Sequence, residues 1–224
     1  MSRRPTAVAL VGGWAAMTAT GSRATTPTAP LLAEPAALLA DVRMRGVEVT
    51  MAYVPDEAER RRRAAAGLTG VTRVDLLDVL LGLPAGATVP WPALSAKERR
   101  AVRELPPGCA DLTPTGVVRL LRRPLRPELA IVRASSWRAG LDRAGRFGAY
   151  CARLVVLPGA PADLGQARAE ADYWGVGLVL GTEVVVPPER FGSRAHTPAG
   201  WAFAEELHLR TLPAPLGTAR PAGR

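Results

Sequence analysis

Five arginines fall within one stretch, ELAIVRASSWRAGLDRAGRFGAYCARLVVLP, Glu128 to Pro158: Arg133, Arg138, Arg143, Arg146 and Arg153. Ser135 and Ser136 separate an apolar run from a helical pattern, and Tyr150 stands among the later arginines. Guanidinium groups stay protonated and present a fork of donors that suits phosphate oxygens. A tyrosine ring can stack on an unpaired base. Serines at the start of a helix either cap it or hold an anion there. Arg133, Ser135, Arg138, Arg143, Arg146, Tyr150 and Arg153 are therefore the candidate nucleic-acid-binding residues. The competing reading is a solvated arginine-rich face whose acidic partners come from elsewhere in the fold.

Other chemistries find little support. Cys109 and Cys151 have no metal-ligand spacing, and His196 and His208 complete no zinc motif. The thiols read as two reduced cysteines of a cytoplasmic protein. No strand leads into a glycine-rich phosphate loop, and the GVG at 175–177 follows a helix and enters a strand. No metal and no cofactor is expected. The formal net charge of +9 points to an anionic partner such as nucleic acid. Lys97 is the only lysine, so the charge is nearly all arginine. With abundant Ala, Gly and Pro this is the composition of a GC-rich coding sequence. That bias explains Arg in place of Lys but not the excess of bases over acids.

The elements that must position these residues follow from periodicity. Leu129 to Ala134 is apolar enough for a strand buried on both faces. A helix over 138–152 would align Leu141, Ala144, Phe147, Cys151 and Leu154 on one face. RLVVLP is a second buried strand, and Ala162 to Trp174 a second amphipathic helix stopped by Gly175. VGLVL and EVVVPP form a hairpin across Gly181-Thr182. Thr197 caps a last helix with Pro198 at its first position, and Trp201, Phe203 and Leu207 dock it. Strand–helix–strand–helix–strand–strand argues an α/β layer with a partly parallel sheet.

Upstream, residues 1–35 are rich in Thr, Ala, Pro and Gly and are expected to be poorly ordered. MSRRPTAVALVGGWAAM resembles a twin-arginine or secretory signal, but its apolar core is broken by Gly12 and Gly13, so an irregular start is the stronger reading. No apolar run is long enough to span a bilayer. Residues 36–124 read as a mainly helical region with a hairpin. PAALLADVRMRG is taken as a short helix and VEVTMAYV as a strand. EAERRRRAAAG is a helix whose run Arg60 to Arg63 forms a solvated face. VDLLDVLLGLP is a helix, and SAKE a capping box starting another. CADL and GVVRLL flank TPTG as a hairpin. Short helices with a basic hairpin loosely suggest a winged helix, which would contact duplex DNA, although no recognition-helix pattern stands out. Residues 125–210 form the α/β core and 211–224 a flexible tail.

The buried strand, small-residue turn, basic helix ending in Tyr-Cys, strand ending in Pro, helix into GVGL and hairpin, over about 125–190, resemble the second half of PD-(D/E)xK nuclease-like domains. Bacterial DNA-repair-associated members and actinobacterial relatives are the nearest in layout. The resemblance implies a restriction-endonuclease-like core and, in active members, an Asp and a Glu-x-Lys on neighbouring strands holding a divalent cation. Here the strand that should carry Glu-x-Lys reads IVRASS, with Arg133, Ala134 and Ser135 at the expected positions. The expected function is therefore binding of nucleic acid, with DNA foremost, by a catalytically degenerate member. One alternative is an active metal-dependent nuclease with carboxylates relocated to Glu128 and Asp142. Another is a protein-interaction or regulatory module of toxin–antitoxin type.

Overall fold

The computed structural model describes residues 37–192 and 197–212. The readings of 1–35 as a poorly ordered or signal-like segment, of His196, and of the tail beyond Leu212 lie outside the described residues. Among the described residues the fold is α/β with one mixed six-stranded sheet, a smaller three-stranded sheet and six α-helices.

The large sheet begins with a hairpin. β1 (Leu38–Met44) and β2 (Val47–Pro55) pair antiparallel across Arg45 and Gly46, both at positive φ, 51° and 73°. That pair of conformations closes a two-residue primed turn whose twist matches the strands. The expected helix over PAALLADVRMRG is thus a strand. Its Ala and Leu favour helix, but seven registered pairs with β2 override that local preference. Ala40, Val42 and Met44 then face the core while Asp41 and Arg43 turn outward.

β2 pairs antiparallel with β6 (Leu125–Arg133). From there α4 (Trp137–Gly145) leads to β7 (Ala152–Leu157), parallel to β6. α5 (Leu164–Tyr173) leads to β8 (Val176–Leu180), parallel to β7. β9 (Glu183–Val186) returns antiparallel, and Gly181 alone of its two-residue turn takes positive φ. The order is β1-β2-β6-β7-β8-β9. β1 and β2 therefore belong to this sheet and not to the helical region to which 36–124 assigned them.

α4 is shorter than the 138–152 expected. Gly145 ends it and Arg146 caps it, and turns through Gly148 carry Phe147 and Cys151 into the core. Glycine lowers helix propensity by about 1 kcal/mol, and two in four residues suffice at a helix end. α4, α5 and α6 (Pro198–Thr211) all pack on one sheet face, through Trp137, Phe147, Ala167, Ala171, Phe203 and Leu207. Each fully buried side chain of Leu or Phe size contributes about 1.5–3 kcal/mol. Ala52, Leu129, Ile131, Leu154 and Val179 form a separate buried cluster on the opposite face.

Between β2 and β6 the chain builds a second small core. It holds α1 (Glu57–Ala65), α2 (Val74–Gly82), β3 (Thr88–Pro90), a 3-10 turn at Trp91–Ala93, α3 (Ala96–Arg103), β4 (Ala110–Leu112) and β5 (Gly116–Arg119). The strands order as β3-β5-β4. The capping box forms as read: Glu98 N–H donates to Ser95 Oγ and Ser95 N–H to Glu98 Oε2. Trp201 of α6 enters this core while Phe203 and Leu207 enter the other, so α6 joins the two.

Candidate nucleic-acid interface

The candidate arginines around α4 do not share one surface. Arg133 ends β6 on the sheet face away from the helices, since side chains alternate along a strand. Its Nη1 donates to Thr50 Oγ1 at 2.9 Å, and that hydroxyl donates to Asp41 Oδ1 at 2.6 Å. This row crosses β1, β2 and β6. Arg153 lies near the opposite end of the parallel strands, where its Nη2 donates to the Trp174 carbonyl at 2.6 Å.

The start of α4 is occupied by the chain itself. Ser136 Oγ accepts from Ala139 N–H, so this serine is an N-cap, and Ser135 is exposed beside it. The Asp163 carboxylate accepts from the Trp137 indole at 2.9 Å and pairs with Arg138 at 3.1 Å. The hydrogen bond from Trp137, with Arg138 adding to it, holds the Asp163 carboxyl below the usual range. Arg138 also lies over the Trp137 ring, 4.1 Å from its centroid. An internal carboxylate thus engages the arginine expected to meet a phosphate.

At the other end, Arg146 pairs with Asp142 at 3.4 Å and donates to the Arg45 carbonyl at 3.1 Å. Tyr150 is stacked on Phe203, with ring centroids 4.3 Å apart and planes 7° apart, and Arg45 lies 5.0 Å from its centroid. One face of the tyrosine is consumed by packing. Arg143 is exposed and has no hydrogen bond or ion pair from its side chain among the described residues.

The residues present do not fit a divalent-cation centre. Asp142 is exposed and paired with Arg146, and Glu128 is paired with Arg126 at 2.6 Å. No group of three His, Cys, Asp or Glu residues able to hold a metal ion occurs among the described residues. At the end of β6 stands a guanidinium, which cannot ligate.

A different basic surface emerges on α3. Lys97, Arg100 and Arg103 are all exposed, at i, i+3 and i+6, on the side opposite buried Val102. None of the three has an ion-pair partner among the described residues. The nearby acids are engaged elsewhere: Glu98 by the cap and Glu104 by Arg73 at 3.0 Å. α3 is the second helix of the packed pair α2–α3, and the β4–β5 hairpin follows it. Glu104 to Cys109 then leads straight into β4 with no further helix. The spacing is legible in SAKERRAVREL, but the arginines of 133–153 outnumber it.

The Arg60–Arg63 run is also not a uniform solvated face. Arg60 pairs with Glu57 and Arg61 is exposed, but Arg63 is buried and clamps Glu59 and Glu205. Four arginines in a row must point in four directions on a helix, and one of them meets the core.

Comparison of the chain with protein-family models, with curated proteins and with solved structures gives no match. No helix among the described residues is long and apolar enough to cross a membrane.

Proposed function

We propose that the protein binds duplex DNA through α3, with the β4–β5 hairpin beside it. In this reading the large sheet is a restriction-endonuclease-like core without a metal-binding carboxylate set. The observation that carries the proposal is the exposed strip of Lys97, Arg100 and Arg103, which has no internal counter-charge among the described residues. Basic side chains that repeat along one helix face gain by releasing counterions from phosphates, a gain that paired arginines such as Arg138 and Arg146 largely forgo. The second helix of a helix pair is also the one that enters the major groove in helix-turn-helix readers. The nuclease-like identity is supported by the order β6-α4-β7-α5-β8-β9, the layout on which the resemblance rests. A cytoplasmic setting belongs to the same reading, supported by two buried free thiols.

Fluorescence anisotropy on a labelled duplex, repeated across salt concentrations, tests it. The Lys97→Glu, Arg100→Glu, Arg103→Glu variant should bind weakly, with a salt slope reduced by about 0.9 for each phosphate that the variant no longer neutralises. The Arg138→Glu variant should bind nearly as the parent does. Salt-insensitive binding, or a triple variant that binds normally, removes the proposal.

A second reading, an interaction module, is supported by Tyr173 and Trp174. They form an edge-to-face pair with centroids 5.0 Å apart and are 80% and 58% exposed. Exposed Tyr and Trp beside arginine are the residues that dominate protein interfaces. Co-purification of a protein after nuclease treatment, abolished by Tyr173→Ala with Trp174→Ala, would favour it over DNA binding.

A further inference from the structure

Arg153 and Glu189 line one cleft without pairing with each other. The cleft, about 170 Å³, opens where the chain enters β7 and leaves β9, and Arg190 and Phe191 complete its charged and aromatic wall. Both charged groups are seated on glycines. A β-carbon at Gly148 would stand 2.9 Å from Arg153 Nη1, and one at Gly175 would stand 2.3 Å from Glu189 Oε2. Bare backbone at each turn thus lets a charged side chain lie flat against it.

Arg153 is further fixed by the hydrogen bond from its Nη2 to the Trp174 carbonyl at 2.6 Å. The segment carrying Glu189 is fixed by the bond from Glu189 N–H to the Gly175 carbonyl at 3.2 Å. Among the described residues Arg153 makes no other side-chain hydrogen bond or ion pair, and Glu189 and Arg190 make none. Opposite charges that share a cleft and are held apart leave donors and acceptors for a third molecule.

The balance of charge selects its chemistry. Two guanidiniums against one carboxylate favour a ligand with more than one negative charge, and the planar donor fork suits phosphate oxygens. An α-amino acid would satisfy Arg153 and Glu189 but leave Arg190 without a partner. Phe191 is 41% exposed and offers a ring on which a base can stack. The Glu189 carboxylate accepts from hydroxyl or amino groups.

We propose that this cleft binds a nucleoside monophosphate, with its phosphate on Arg153 and Arg190, its base on Phe191 and a sugar hydroxyl donating to Glu189. The same chemistry is found in a free nucleotide and at the phosphorylated end of a nucleic-acid strand. The site is separate from α3 and stands whether or not that helix binds DNA.

Isothermal titration calorimetry on the full chain tests this. Adenosine monophosphate should bind, with adenosine and inorganic phosphate each weaker by about tenfold or more. Arg190→Glu and Phe191→Ala, both at exposed side chains, should each weaken nucleotide binding by about tenfold. The Lys97→Glu, Arg100→Glu, Arg103→Glu variant should bind the nucleotide as the parent does, which separates this cleft from α3. In that variant, a short single strand with a terminal phosphate that binds more tightly than its terminal-hydroxyl twin identifies strand ends as the ligand. Equal binding of the two strands, or none, with mononucleotide binding retained identifies the free nucleotide. No binding of either form, adenosine or phosphate binding as tightly as the nucleotide, or unchanged affinity in Arg190→Glu and Phe191→Ala overturns the proposal.

Discussion

Arg63 of α1 and Glu205 of α6 are joined by two hydrogen bonds, Nη1 to Oε2 at 2.6 Å and Nη2 to Oε1 at 2.7 Å, with both side chains 0–1% exposed. Glu205 also accepts from the Trp201 indole at 2.9 Å and from Val71 N–H at 3.1 Å. Arg63 also donates to Glu59 and to the Arg122 carbonyl. Burial alone would push Glu59 up, but its bonds from Arg62 and Arg63 outweigh that and hold it below the usual range. Both oxygens of the Glu205 carboxylate thus accept two hydrogen bonds each, and the cluster ties α1, α6 and the irregular segment leading into β6.

Removing one partner should be worse than removing both. Glu205→Leu leaves the buried Arg63 guanidinium with Glu59 as its one remaining carboxylate partner and should cost about 3–5 kcal/mol in denaturant unfolding. The double variant Arg63→Met, Glu205→Leu should recover a large part of that loss. A double variant as unstable as the sum of the singles would show that the pair is worth more than its desolvation.

His208 should make stability fall with mild acid. Burial, with Arg63 and Arg60 adding to it, depresses its imidazole to about 4, and its Nδ1 has no hydrogen-bond partner among the described residues. The unfolded chain takes up that proton near pH 6.5 while the folded chain does not. The stabilisation is therefore complete above about pH 6.5 and is lost as pH falls toward 4. The slope should approach about 1.4 kcal/mol per pH unit between pH 6 and 5, and His208→Gln should flatten it there. A parent protein with no slope in that window would refute the assignment.

Gly140 should not tolerate alanine, although alanine favours helix by about 1 kcal/mol. A β-carbon there would stand 2.5 Å from Val155 Cγ1 and 3.3 Å from Ala134 Cβ. Val155 is fully buried and has no room to yield. Overpacking should win, leaving Gly140→Ala less stable by about 1–2 kcal/mol. An increased Tm would show that α4 can lift from β7.

Both thiols should be silent in the folded protein. Burial pushes Cys109 up to about 11 and Cys151 up to about 12. The thiolate is the reactive form, so a thiol reagent at pH 8 should label neither until denaturant is added. Rapid native labelling would place one of them at an opening.

Much of the local structure is legible without any tertiary contact. Ser95 with Glu98, Thr197 before Pro198 and the Gly181-Thr182 turn each act over a few residues, so their hydrogen bonds or backbone angles are written into adjacent letters. The absence of carboxylates from IVRASS is equally plain. The β1 strand is not legible, because Leu38–Met44 favours a helix until β2 pairs with it.

What the amino-acid sequence determined by itself was the α/β alternation and the caps and turns. Tertiary structure alone decided which arginines are spent inside the protein and which face solvent. Arg63 and Glu205 are separated by 142 positions, and Arg133 is turned away from α4 by strand alternation. Those outcomes depend on pairing register and on partners distant in the chain. Neither is encoded in any short window, so the seven candidate residues are dispersed while Lys97, Arg100 and Arg103 line one exposed face of α3.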